Sequence, residues 1–204
     1  MTTLTNMPTL AAALWPVSGA TAGSSDSGRA WGRALALAFA GSLLMTLSAK
    51  IQIPFWPVPM TMQTFVVLVL GMAYGWKLGA ATMLMYLAEG AMGFPVFAGT
   101  PERGIGLAYM TGPTGGYLVG FVVAAAACGW LAQRGWDRSV AKVMVAMLLG
   151  HALILGMGAA WLATLMGWEK ALQVGLMPFW AATLFKTALA VMVLPVAWRL
   201  LGKR

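Results

Sequence analysis

Charged side chains are scarce in this sequence. Only 9% of its 204 residues are Asp, Glu, Lys or Arg, whereas 60% are hydrophobic. An average soluble domain is roughly 25% charged, and a soluble fold of this size cannot bury so much apolar surface, because much of a small domain stays in contact with water. The composition therefore predicts an integral membrane protein. The 25 Gly and 10 Trp residues agree, since Gly is common in membrane helices and Trp gathers at membrane interfaces.

Residue types that support catalysis or metal binding are also few. One cysteine, Cys128, and one histidine, His151, allow neither an internal disulfide nor a Cys/His metal site. His151 lies in an apolar run with no acid or nucleophile beside it, so we interpret it as packed between helices, although an ionisable group in a membrane raises the question of function. Five acidic residues are scattered at positions 26, 89, 102, 137 and 169. A membrane-embedded enzyme needs such groups clustered, so we expect no enzyme, no cofactor and no metal.

Six apolar segments follow one another along the chain, and a membrane-spanning helix needs about 20 such residues. They run over residues 30–49, 59–75, 78–92, 116–133, 140–166 and 172–201. Residues 1–28 lack the basic start and the long apolar core of a signal peptide. We therefore expect an all-α integral membrane protein, with a flexible cytoplasmic tail over 1–28 and a domain of six transmembrane helices over 29–204.

Basic residues indicate which side of the membrane each loop faces. The net charge is +8, but the basic residues fall between apolar segments and not along one face, which argues against nucleic acid. With both termini in the cytoplasm, nine basic residues lie inside and three outside, as expected for cytoplasmic loops. The inside set is Arg29, Arg33, Lys77, Arg134, Arg138, Lys142, Arg199, Lys203 and Arg204, and the outside set is Lys50, Arg103 and Lys170.

Two loops on the predicted outer side, residues 53–59 and 93–115, contain too much Pro and Gly for regular helix. Irregular backbone near a membrane must be buried in protein or line a cavity. We therefore expect an ordered cap over a ligand pocket that fills from outside; ordinary surface loops are the alternative. In the second loop, Arg103 offers a planar fork that matches a carboxylate.

Two charges fall within the predicted helices. Lys186 has apolar sequence on both sides, and a charge at the centre of a membrane helix costs on the order of 2.5–3.5 kcal/mol, so that it normally has a partner or a task. Glu89 lies near the outer end of the third segment. Either these two residues form an ion pair, or Lys186 meets a negative group of a ligand.

Polar and small residues at other positions extend the set of candidates. Thr61 and Gln63 open the second segment, where they either cap the helix or hydrogen-bond a polar ligand. Tyr117 follows a Gly- and Pro-rich turn that lacks the Lys-Ser/Thr ending of a phosphate loop. On the first segment, small residues four positions apart either allow close helix packing in lipid or reflect helix propensity alone. These residues are Ala34, Ala36, Ala38 and Ala40.

Four stretches in register resemble the BioY family of biotin transporters, the substrate-binding subunits of energy-coupling factor (ECF) importers. They are residues 57–64 (PVPMTMQT), 93–99 (GFPVFAG), 112–118 (GPTGGYL), and 178–179 with Lys186 eight residues after Pro178. The likeness covers about residues 34–200. It implies a six-helix subunit of the bacterial cytoplasmic (inner) membrane that takes up biotin from outside; an ECF-type binder of another vitamin is the nearest alternative.

The resemblance also implies roles for individual residues. Aromatic walls come from Phe97, Tyr117 and the region of Trp56, and the cation for the biotin carboxylate is Arg103 or Lys186. Hydrogen bonds to the ureido group come from Glu89, Thr183 or Gln63, with Thr61 beside them. The partners are a transmembrane coupling subunit and two ATPase subunits, with the alanine stripe of the first segment as the docking face. This chain has no Walker motif of its own.

The chain departs from the family pattern in its last segment. The family typically reads Pro-Phe-x-Pro-Gly-Asp-x-x-Lys, whereas residues 178–186 read PFWAATLFK. Thr183 therefore replaces an acid one turn before Lys186, and a hydroxyl carries no charge. We hypothesise that Glu89 compensates as the counter-ion of Lys186.

Overall fold

The computed structural model describes residues 7–15, 24–54 and 56–201, and in this part of the chain almost all regular structure is helical. The helices are α1 (Leu10–Leu14), α2 (Ser24–Lys50), α3 (Gln63–Tyr74), α4 (Trp76–Ala91), α5 (Gly106–Met110), α6 (Gly115–Ala132), α7 (Val140–Met166), α8 (Trp168–Gly175) and α9 (Trp180–Leu201), with 3-10 turns at Trp136–Arg138 and Met177–Phe179. Two short strands, β1 (Gln52–Ile53) and β2 (Met60–Thr61), pair antiparallel.

Helices occupy all six of the predicted segments, and four stretches are long and apolar enough to cross a membrane. These are Gly28–Lys50, Gly115–Ala132, Val140–Met166 and Trp168–Leu201. The helices of the second and third segments have 12 and 16 residues, which at 1.5 Å per residue gives lengths of about 18 and 24 Å, less than the bilayer core of about 30 Å.

The sixth predicted segment is not one helix. The chain forms α8, a 3-10 turn and then α9, and α8 also begins four residues before the predicted start at 172. Pro178 lies within the turn; it lacks the backbone N–H that a continuous helix would use, and it disfavours helical backbone at the preceding residue. The break brings Gly175 and Phe179 close to the first turn of α6, as the contacts of Tyr117 below show.

Helix α6 is the central element of the bundle, because it packs against α3, α4 and α7. Two close approaches depend on glycine. A Cβ at Gly71 on α3 would lie 2.6 Å from the carbonyl oxygen of Ala125 on α6, and a Cβ at Gly120 on α6 would lie 2.9 Å from Cα of Ile154 on α7. Small residues of this kind let membrane helices approach at backbone distance.

The two loops predicted to lie outside fold over the same end of the bundle. The described residues of the first loop connect strands β1 and β2 without a helix, whereas the second loop contains α5, contrary to the expectation that its composition forbids regular helix. Lys50, the last residue of α2, donates to the carbonyl oxygens of Pro95 (3.0 Å) and Phe97 (3.1 Å). These bonds hold the second loop against α2 and account for its order.

Part of the predicted N-terminal tail packs against the bundle. Leu10 and Ala11 of α1 are buried, Met7 N–H donates to the Gln133 carbonyl, and Arg33 on α2 donates to the Ala11 carbonyl at 2.7 Å. Residues 24–28 belong to α2. The flexible tail that we expect over 1–28 therefore does not describe 7–15 or 24–28, and its remaining positions lie outside the described residues.

Candidate functional site

A cavity lies beneath the two loops, between the ends of α3, α6 and α9. Its lining is mostly apolar, with a few polar groups that converge on it, which is the usual composition of a small-molecule site. The lining residues are Val58, Pro59, Thr61, Gln63, Thr64, Ala98, Tyr109, Thr114, Tyr117, Leu118, Phe121, Leu155, Phe179 and Lys186.

Lys186 is the charged residue of this cavity. It is 5% exposed on α9, and its ammonium group donates to the carbonyl oxygen of Thr61 at 2.6 Å and to Oγ1 of Thr64 at 2.9 Å. An ammonium group has three N–H donors, so one remains without an acceptor among the described residues. The sequence left two alternatives for Lys186, an acidic partner or a ligand. Among the described residues its hydrogen-bond partners carry no charge.

The predicted ion pair between Lys186 and Glu89 is wrong. Oε1 of Glu89 accepts a hydrogen bond from Ser42 on α2 at 2.9 Å, and no ion pair joins Glu89 to Lys186 in the described chain. Glu89 borders a different, apolar cavity with Phe39, Leu43 and Phe94. Spacing along the sequence does not reveal which face of α4 carries Glu89, and that face points to α2 and not to α9.

A chain of buried hydrogen bonds runs from the cavity into the protein. Thr61 Oγ1 accepts from the backbone N–H of Gln63 at 3.2 Å, although the N-cap residue of α3 is Met62. Gln63 Nε2 donates to the hydroxyl of Tyr86 at 2.7 Å, and this hydroxyl donates to the carbonyl oxygen of Val96 at 3.0 Å. The chain connects the lining of the cavity to the second loop.

Aromatic side chains form the opposite wall. Tyr117 is buried, and its hydroxyl donates to the carbonyl oxygen of Gly175 at 2.6 Å, which ties α6 to the end of α8. The ring of Phe179 lies 6.3 Å from that of Tyr117. Tyr117 lines the cavity. Phe97, which the resemblance also assigns to an aromatic wall, packs between Tyr86 and Tyr109 and does not line the cavity.

Arg103 borders a second cavity that adjoins the first through Tyr109 and Thr114, and Trp56 lies on its rim. The Nη1 group of Arg103 donates to the Pro57 carbonyl at 3.2 Å, which joins the two loops. Thr183 is half-buried one turn before Lys186 and is not part of either lining.

Several lining residues are absent from the sequence prediction. Thr64 follows Gln63 directly and contacts Lys186, which lies 122 positions further along the chain. No pattern in the sequence indicates this contact. Tyr109 and Phe179 lie in or beside short helical turns whose position depends on packing. The Pro- and Gly-rich sequence around them is the one signal that could have pointed to these two.

The alanine stripe is divided between the inside and the outside of the bundle. Ala38 is 5% exposed and Ala34 is half-buried, whereas Ala36 and Ala40 are exposed. Ala38 therefore packs within the chain and is not available to a partner, contrary to the prediction that all four form a docking face. Positions 36 and 40 keep the spacing of four that the prediction requires.

No group of three His, Cys, Asp or Glu side chains within the described ranges is arranged to hold a metal ion. His151 is 2% exposed, and its Nδ1 lies 2.8 Å from the carbonyl oxygen of Met147 on the same helix. A buried histidine in such a contact agrees with packing between α7 and its neighbours.

Apolar helices of membrane-crossing length, with a capped internal cavity that carries one buried cation, define a helical membrane protein with a small-molecule binding site. A family model described as the BioY family matches residues 20–203. The chain belongs to the BioY family.

Individual relatives agree with this assignment. The chain is 37% identical over 150 residues to a probable biotin transporter BioY from Pyrococcus horikoshii, covering 74% of this chain and 86% of the relative. It is 35% identical over 151 residues to the biotin transporter BioY of Thermotoga maritima, covering 74% and 86%. A crystal structure of the S-component for biotin from an ECF-type ABC transporter has the same fold, with a TM-score of 0.71 and 21% identity over 88% of this chain and 95% of that one.

Proposed function

We propose that this chain takes up biotin as the substrate-binding subunit of an ECF-type transporter. Family membership supports the proposal, together with one structural observation: a mostly apolar cavity that contains the buried ammonium group of Lys186 and the amide of Gln63 adjoins a cavity that contains Arg103. Biotin is elongated, with a bicyclic polar and apolar head at one end and a carboxylate at the other. The proposed role is binding and transport, without catalysis or a cofactor.

The two adjoining cavities favour one orientation of biotin. The inner cavity suits the head, because its aromatic wall can cover the thiophane ring while Lys186, Gln63 and Thr61 hydrogen-bond the ureido group. The carboxylate then reaches Arg103, which is exposed. A carboxylate is costly to bury, and a guanidinium near water binds it in a bidentate geometry at a smaller desolvation cost.

Entry of the ligand requires movement of the loops. The inner cavity has a free volume of about 40 Å³, whereas small-molecule sites typically have about 300–1,000 Å³. The loops over the cavity are joined to each other by Arg103 and to α2 by Lys50, so these contacts are the ones that must open.

The same proposal covers membrane topology and partners. We infer six crossings of a bacterial cytoplasmic membrane with both termini inside, supported by the distribution of basic residues. The partners are a transmembrane coupling subunit and two ATPase subunits, and exposed Ala36 and Ala40 on α2 are the part of the stripe that can meet the coupling subunit.

Equilibrium binding to purified protein in detergent tests the proposed ligand. Labelled biotin should bind saturably and be displaced by unlabelled biotin, but not by riboflavin or thiamine. Saturable binding of another labelled vitamin, with no binding of biotin, would identify an ECF-type binder of different specificity. Chemical conversion of the ligand would support the alternative of a membrane enzyme.

A further inference from the structure

The end of the bundle opposite the loops carries a separate cavity of about 540 Å³. It lies between α1, the 3-10 turn after α6 and the last turns of α9. Leu14, Pro195 and Leu201 supply apolar walls, and Arg138, Trp198 and Arg199 supply the polar and aromatic part. None of these residues borders the cavity beneath the loops.

Trp198 is held in a fixed position in this cavity. Its indole N–H donates to Oδ2 of Asp137 at 2.6 Å, and the guanidinium carbon of Arg138 lies 4.3 Å from the centroid of its ring. A guanidinium over an aromatic face is attracted by the electrons of the ring. Arg138 is therefore placed beside the cavity by its stacking on Trp198.

The donor capacity of the two arginines is largely unused. A guanidinium carries five N–H donors, yet neither Arg138 nor Arg199 has a hydrogen bond or ion pair to another described residue. Asp137 is next to Arg138 in the chain, and one of its oxygens already accepts from Trp198. The cavity thus presents two positive groups whose donors meet no acceptor among the described residues.

We propose that this cavity binds the headgroup of an anionic phospholipid, whose phosphate oxygens accept hydrogen bonds from Arg138 and Arg199. A guanidinium matches phosphate in a bidentate geometry.

The surroundings of the cavity indicate a lipid and not a soluble phosphate. Leu14 is exposed on the cavity wall, and Val196 and Leu200 are exposed beside it on α9. These surfaces can contact acyl chains, since the cavity lies at the end of a helical stretch long enough to cross a membrane, where headgroups are found. Basic pockets between membrane helices bind anionic headgroups in this way.

Titration of the full-length protein in neutral detergent, read out by native mass spectrometry, tests the proposal. Phosphatidylglycerol should bind at one site more tightly than phosphatidylcholine. The double substitution Arg138→Gln/Arg199→Gln should weaken phosphatidylglycerol binding by about 25-fold, at about a factor of five for each basic group. Arg134→Gln is the control for each single substitution, Arg138→Gln and Arg199→Gln: it also removes one positive charge at this end of the bundle, but Arg134 stacks on Trp130 and lies outside the cavity.

A second variant separates loss of binding from loss of folding. Arg138→Lys/Arg199→Lys keeps both charges but loses the planar forks; it should melt at the same temperature as the unaltered protein and show intermediate affinity. Equal binding of the two lipids by the unaltered protein would overturn the proposal, as would an equal loss in the Arg134→Gln control. Competition by inorganic phosphate at millimolar concentration, as effective as by the lipid, would show a free-phosphate site and also contradict it.

Discussion

The orientation of the Gln63 side chain follows from the hydrogen bonds behind it. The hydroxyl of Tyr86 has one proton and gives it to the Val96 carbonyl, so the phenol oxygen must accept from Gln63, and only the amide nitrogen can donate. The amide oxygen therefore lies on the side of Thr61 and the cavity. This arrangement offers an acceptor to a ligand N–H, as the ureido group of biotin requires.

Tyr86→Phe tests this orientation. The substitution leaves the buried Val96 carbonyl without its donor, which should destabilise the fold by about 1–3 kcal/mol, and it frees the Gln63 amide to turn over, which should weaken biotin binding. Tyr74→Phe is the control, because it removes a hydroxyl bound to the Leu37 carbonyl far from the cavity lining. Melting temperature and biotin affinity should both fall in Tyr86→Phe, and only the melting temperature in Tyr74→Phe. Unchanged affinity in Tyr86→Phe would remove Gln63 from the proposed contacts.

Lys186 and Glu89 should behave differently on substitution. Lys186→Met removes the donor proposed for the ureido carbonyl, and a hydrogen bond from a charged group contributes about 1.5–3 kcal/mol, so biotin affinity should fall roughly 10- to 150-fold. Glu89→Gln keeps a side chain that can accept from Ser42 and should leave affinity unchanged. Calorimetric titration with biotin checks both; a comparable loss of affinity in Glu89→Gln would restore that residue to the site.

Single residues show where inference from sequence ends. Charge within an apolar segment was enough to single out Lys186, and a polar helix start was enough for Thr61 and Gln63, because those signals are local. The partner of Lys186 is the Thr61 carbonyl, 125 positions away. A backbone acceptor at that distance cannot be recognised from residue types, and the hypothesis of an acidic partner, Glu89, was therefore wrong.

At the scale of elements, the 3-10 turn between α6 and α7 is joined to the end of α9 by Asp137 and Trp198. Asp137 is 1% exposed, and its Oδ1 is buried without a hydrogen bond in the described structure. Burial raises the pKa of this carboxyl above its ordinary value of 3.8, although the hydrogen bond from Trp198 acts in the opposite direction. Folding therefore favours protonation of Asp137 relative to the unfolded chain.

This shift has a defined sign for stability. Because the pKa of Asp137 is higher in the folded than in the unfolded protein, its contribution to the free energy of unfolding is fully present below the unfolded pKa. This contribution is lost as the pH rises through the folded pKa. Asp137→Asn should therefore reduce the fall in melting temperature as the pH is raised from about 4 to 7. Scanning fluorimetry in detergent gives the profile, and exposed Glu169→Gln serves as the control. A profile for Asp137→Asn parallel to that of the unaltered protein would show that Asp137 does not titrate in this range.

Hydropathy predicted the helix boundaries only where a helix coincides with an apolar run. The segment at 140–166 coincides with α7, since apolar runs mark helices directly. The break between α8 and α9 and the packing of α1 were missed. The apolar residues on both sides of Pro178 predict one continuous helix by hydropathy, so the break is not visible. The five residues of α1 are ordered by contacts with α3 and α9, which hydropathy does not report.

For the whole molecule, the orientation in the membrane is the prediction with the widest consequence. Glu102 lies exposed in the loop over the cavity, and Lys77 lies exposed at the α3–α4 turn on the opposite end. A cysteine introduced at Glu102 should react with an impermeant thiol reagent in intact cells, whereas a cysteine at Lys77 should react only after lysis. The native Cys128 is buried and should contribute little background. The reverse pattern would place the cavity on the inner side and contradict uptake.

The measurement that tests the account most directly is the affinity of the purified protein for biotin and for biotin amide, with and without Arg103→Ala. The unaltered protein should bind biotin saturably and more tightly than the amide, because the amide lacks the charge that Arg103 meets. Arg103→Ala should weaken the binding of biotin by about 1 kcal/mol, as expected for an ion pair near water, and should bind biotin and the amide about equally. If the unaltered protein shows no saturable binding of biotin, the proposed function is wrong. If Arg103→Ala binds biotin as tightly as the unaltered protein, the carboxylate does not lie at Arg103 and the proposed orientation of the ligand fails.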